Sequence, residues 1–111
     1  MAHAVPETDW KMFRKLREVA LERFCARALA EVEALRGDAS RSHHERYGAI
    51  LRLLRERDEQ MARAFDDPRR SQMVIQLATI YALDLLVPEE VARFTPETRT
   101  RIEFITKEWE R

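Results

Sequence analysis

DPRRSQMVIQLATIYALDLLV, residues 67–87, is the stretch on which the fold turns. Residues 71–83 within it carry no charge, in a chain where 36% of residues are Asp, Glu, Lys or Arg. Such a run reads as a helix buried among its neighbours rather than one that meets water. Asp67 stands where an N-cap is expected, and Pro68 fits the first helical position, where its missing N–H costs nothing. At the other end Pro88 conflicts sterically with a helical Val87 and sets the stop.

Working back toward the N-terminus, the pattern before this stretch predicts a second helix over about residues 43–65. Ser42 followed by Glu45 has the form of a capping box. Tyr47, Ile50, Leu51, Leu54, Met61 and Phe65 fall on one apolar stripe. The very short turn at Asp66 and Asp67 makes this helix and the central one an antiparallel hairpin. Earlier still, Trp10, Phe13, Leu16, Ala20, Phe24, Ala28, Val32 and Leu35 recur at helical spacing. They predict one long helix that starts after Pro6 and stops at Gly37. Its opposite face, Lys11, Arg14, Lys15, Glu18 and Glu22, reads as solvated.

Beyond the central stretch, Pro88, Glu89 and Glu90 open a helix of one or two turns through Phe94. Thr95 and Pro96 open a last helix with Ile102, Ile105 and Trp109 on one face. Trp10 and Trp109 meet if the first and last helices run antiparallel. The expected fold is therefore an all-α antiparallel bundle of four main helices plus a short helical connector. It forms a single domain over residues 1–111, with residues 1–7 and the linker 38–41 as the flexible parts.

Composition narrows the function. The chain has 20 basic and 20 acidic side chains, so no net field draws it onto nucleic acid or an anionic membrane. Residues 1–55 carry eleven basic against eight acidic groups, and residues 56–111 carry nine against twelve. This mild asymmetry suits two halves packing on each other or on a partner. Only Lys11, Lys15 and Lys107 among the basic residues are lysines. A single cysteine, Cys25, excludes an internal disulfide and reads as a small core residue. The central stretch is too short and too interrupted to span a membrane, and the opening residues lack the pattern of a signal peptide, so a cytoplasmic location is expected.

Three constellations are candidates for chemistry. Asp58 falls in the middle of an apolar stripe, where an unpaired carboxylate is costly if buried. Arg69 and Arg70 are its expected partners across the hairpin, as a structural ion pair or as a ligand- or anion-binding group. A solvent-facing Asp58 on a narrower stripe is the remaining reading. Gln72, Gln76 and Thr79, with Leu83 continuing the line, form a neutral polar row on the central helix. That row is either an interface, with Gln76 meeting its own copy across a two-fold axis, or internal packing. Residues 88–107 have the order of elements of a helix-turn-helix, with Thr98, Arg99 and Arg101 near the start of the reading helix. Glu89, Glu90, Glu97 and Glu103 surround those arginines, which makes nucleic acid the weakest of the readings.

His43, His44 and Glu45 point about 100° apart along a helix and cannot close on one metal ion. No nucleophile, base and oxyanion site assemble either, so neither catalysis nor a cofactor is expected. The favoured function is protein–protein interaction, with self-association as a homodimer or recruitment by a partner protein. A ligand- or anion-binding regulator using Asp58, Arg69 and Arg70 is the alternative.

Overall fold

A computed structural model describes residues 5–110 of the chain. Most of the start expected to be flexible, including His3, lies outside the described residues. Val5 packs half-buried against the core, and the first helix begins at Glu7. Five helices follow in order: α1 Glu7–Arg36, α2 His43–Phe65, α3 Met73–Ala82, α4 Pro88–Val91 and α5 Pro96–Trp109, with a 3-10 turn Arg70–Gln72 leading into α3. The described residues contain no strand, so the architecture is all-α, with four longer helices and α4 as the short connector.

The local signals for α1 and α2 act as expected. Ser42 Oγ accepts from the Glu45 N–H at 3.1 Å and Glu45 returns a carboxylate oxygen to the Ser42 N–H at 2.9 Å, closing the capping box. The Ser42 N–H first, then the Ser42 hydroxyl and the charge of Arg41, hold the Glu45 carboxyl below its usual range. The linker between the two helices is tied down. Asp38 accepts from both the N–H and the hydroxyl of Ser40, and Arg46 reaches back to the Arg36 carbonyl at 2.6 Å.

The molecule is elongated, 54 × 27 × 24 Å, because α1 alone is about 45 Å long at 1.5 Å per residue. Its core occupies one end. Phe13, Leu16, Ala20 and Phe24 of α1 meet Ala64 and Phe65 of α2, most of α3, Leu85, Leu86 and Phe94 of the following loops, and Ile102 of α5. Each large side chain buried there contributes about 1.5–3 kcal/mol. Toward the other end α1 and α2 continue as a two-helix arm, in which only Ala28 and Ala49 are buried.

The central helix is shorter than its sequence predicts. Asp67 has φ 51°, outside the extended region an N-cap occupies, so it turns the chain instead of starting the helix. At the far end the helix stops at Ala82, well before Pro88. The Leu85 N–H reaches back to the Ile80 carbonyl at 3.2 Å and the Asp84 N–H to Tyr81 at 2.9 Å, the paired bonds of a Schellman stop, with Asp84 at φ 59° in the left-handed position usually taken by glycine. Two arginines from α1 secure that stop. Arg27 donates to the carbonyls of Leu83 and Asp84 at 2.7 and 2.9 Å, and Arg23 donates to Leu85 at 2.9 Å. They satisfy the carbonyls of the cap and of the two residues after it, and put positive charge at the negative pole of α3.

The expected meeting of Trp10 and Trp109 does not occur, because α5 presents its beginning, not its end, to the start of α1. Asp9 is almost fully buried and accepts from the Thr95 N–H at 3.0 Å, the Thr95 hydroxyl at 2.7 Å and the Thr98 hydroxyl at 2.6 Å. A carboxylate of α1 thus anchors the N-terminus of α5. From this joint α5 runs beside α3, while Trp10 stacks on Phe13 at 5.6 Å and Trp109 stays half-exposed near Tyr81 and Pro88.

Candidate functional site: the uncovered face of the second helix

Helix α2 carries two stripes that differ in what covers them. Arg46, Ala49, Ile50, Leu53, Arg57, Gln60 and Ala64 recur at three- and four-residue intervals, and all are buried or half-buried. This stripe faces α1, as the Arg57 fork on Glu31 shows, with Nε at 2.9 Å and Nη2 at 2.6 Å from the two carboxylate oxygens. Accepting that fork holds the Glu31 carboxyl below its ordinary range.

The second stripe, about 110° round the helix at 100° per residue, is Tyr47, Leu51, Leu54, Asp58, Met61 and Phe65. Its exposure falls along the helix from 70% at Tyr47 through 40% at Leu51 and Leu54 to 1% at Phe65. The cause lies in the covering element. Phe65 and Met61 pack into the core with α3, but α3 has ten residues against the 23 of α2. Leu83, just past the end of α3, shares a small cavity with Arg57 and Gln60. One turn farther out no element lies over the stripe, and Leu29 on α1 is also 61% exposed.

Asp58 sits where cover ends. It is exposed, with no hydrogen bond or ion pair among the described residues, so the expected pair with Arg69 or Arg70 is not formed. Arg69 is taken by Asp67, two residues before it. Arg70 pairs with Glu7 at 3.0 Å and lies 5.6 Å over the Trp10 ring. Both arginines are thus paired with carboxylates other than Asp58. The solvent-facing reading of Asp58 on a narrower stripe is the one the structure adopts.

The neutral row on the central helix divides. Gln72 is exposed in the 3-10 turn, whereas Gln76 is buried and donates through Nε2 to the Asp66 carbonyl at 2.7 Å, satisfying an acceptor just past the end of α2. Thr79 donates to the Ile75 carbonyl of its own helix at 2.8 Å, and Leu83 packs half-buried against the core. Gln72, Gln76 and Thr79 line one open cavity with Ile75 and Arg63, while Leu83 lines a separate one with Arg57 and Gln60. At the start of α5 Thr98 is buried and bonded to Asp9, while Arg99 and Arg101 are half-buried. Among the described residues no three His, Cys, Asp or Glu side chains converge as metal ligands, and His43 and His44 are exposed.

Sequence reasoning placed Tyr47, Leu51 and Leu54 on an apolar stripe and assigned them to the core. The signal that they leave it was present in Asp58, a charge in the seam where the stripe emerges from beneath α3. No helix of the described residues is long and apolar enough to cross a membrane. Compared with protein-family models, curated proteins and solved structures, the chain matches none.

Proposed function

We propose that the protein acts by binding a second copy of itself through the uncovered face of α2. The observation that carries this reading is the row Tyr47, Leu51, Leu54, left open where α3 ends. Its spacing is self-complementary. Steps of four, three and four residues from Tyr47 to Asp58 read the same from either end. An antiparallel two-fold pairing therefore sets Leu51 of one copy against Leu54 of the other. The same operation sets Tyr47 against Asp58, and a phenol O–H is a donor that a partnerless carboxylate can accept. Zero formal charge removes long-range repulsion between copies. A cytoplasmic setting goes with this reading, supported by the single free thiol of Cys25, which a reducing compartment preserves.

Light scattering tests it. The chain is expected at twice its 13.2 kDa mass, and Leu51→Glu combined with Leu54→Glu is expected to give a monomer of unchanged helicity. Tyr47→Phe is expected to weaken the dimer by a few-fold, equivalent to about 1 kcal/mol for one hydrogen bond. A wild-type chain that stays monomeric across the concentration range would overturn self-association through this face.

A further inference from the structure

An open cavity of about 650 Å³ lies beside the first turns of α1, lined by Trp10, Lys11, Arg14, Lys15 and Arg17 together with the Glu18 carboxylate and Pro68. Its cations fall into two groups. Arg17 is committed: Nε and Nη2 donate to the Phe65 carbonyl at 3.2 and 2.5 Å, and Nη1 reaches Glu18. At the rim Arg70 is held by Glu7 and by the Trp10 ring. Lys11, Arg14 and Lys15, by contrast, have no hydrogen-bond or ion-pair partner among the described residues.

Other cations, Arg52, Arg55 and Lys107 among them, also lack a partner among the described residues, but Lys11, Arg14 and Lys15 share one cavity. Arg17, Arg23, Arg27, Arg46 and Arg57 each grip a fixed carbonyl or carboxylate. Two of the chain's three lysines stand in this cavity. Lys11 and Lys15 lie one turn apart and repel each other, an arrangement that costs stability unless an anion lies between them. Lysine brings a mobile point charge, and Arg14 adds a planar fork suited to paired oxygens. The Trp10 ring is already occupied by Phe13 and Arg70, so the cavity selects by charge and not by stacking a base.

We infer that this cavity binds a phosphate-bearing anion of at least two negative charges, held by Lys11, Arg14 and Lys15. The site is separate from the dimer face of α2, so either can fail without the other. Calorimetric titration with inorganic pyrophosphate at fixed ionic strength is expected to show saturable binding. Lys11→Gln with Lys15→Gln should weaken it about tenfold or more, while Lys107→Gln, the same charge change on α5, should leave it unaltered.

Co-sedimentation with phosphatidylglycerol vesicles, against phosphatidylcholine vesicles, separates the two sources of this chemistry. Vesicle binding lost in the double variant assigns the phosphate to a lipid headgroup, and pyrophosphate binding without vesicle binding assigns it to a free phosphate compound. If neither probe binds, or if Lys107→Gln weakens binding as much as the double variant does, the cavity is not a site.

Discussion

The two ends of α2 share one stripe and meet opposite surroundings. At the C-terminal end Phe65 is sealed by α1 and α3 and held under the Arg17 guanidinium, 5.9 Å from its ring. About three and four turns back, Leu54 and Leu51 have the same helical phase and lie in water's reach. Apolar periodicity therefore specifies a face and not its burial. Burial depends on whether another element is long enough to lie over that face, and α3 stops halfway. One stripe can in this way supply a core at one end and a contact surface at the other.

Mutating the two ends of the stripe alike breaks the comparison most directly. Phe65→Ala should cost about 3–5 kcal/mol through the cavity it leaves. Leu51→Ala should change monomer stability by no more than about 0.5 kcal/mol, and denaturant titration of both variants reads the difference. Equal losses would mean that Leu51 is also covered within the monomer. Next in size is Asp9→Ala, which leaves the Thr95 N–H and two hydroxyls without their acceptor and should cost about 2–4 kcal/mol at the core end. The same change at Asp58 on the open stripe should leave unfolding unaltered within about 0.5 kcal/mol.

A smaller effect separates the ends by pH. Arg23 forks onto Glu90 at 2.7 and 3.0 Å, and the Val87 N–H adds a further bond, so the Glu90 carboxyl is held below its usual range. Because the folded value lies below the unfolded one, this contribution is complete above the ordinary carboxylate range of about 4.3. It is lost as pH falls through the folded value. Thermal melts of Glu90→Gln should start about 1–2 kcal/mol lower at neutral pH and lose less on acidification than the wild type does. Smallest is Asp84→Gly, expected to stabilise by about 0.5–1 kcal/mol by relieving the left-handed position at the α3 stop. A loss there would show that the Asp84 side chain contributes more than its backbone costs.

What could be read from sequence follows the range of the forces involved. The extents of α1 and α2, the capping box at Ser42 and Glu45, and the all-helical class depend on neighbours within a turn or two, and pattern alone revealed them. The length of α3 did not, because its stop uses an aspartate in a glycine position and arginines from a helix more than fifty residues earlier. By sequence Asp9 is simply one of two acidic residues, with Glu7, in the first turn of α1. Only tertiary contact turns it toward Thr95 and Thr98. For the candidate surfaces, residue types were legible and cover was not. Tyr47, Leu51 and Leu54 were assigned inward, and Lys11, Arg14 and Lys15 were assigned to a solvated face without the cavity that groups them.

The joint between Asp9 and the start of α5 also has a consequence in time. Its partners lie 86 and 89 residues apart along the chain, so forming it closes nearly the whole polypeptide into a loop, with an entropy cost that grows as the logarithm of that separation. The α1–α2 hairpin and the α2–α3 turn close far shorter loops and can assemble before α5 has left the ribosome. The Asp9 clasp is therefore expected to form late in folding. Weakening it should quicken unfolding while leaving the folding rate almost untouched.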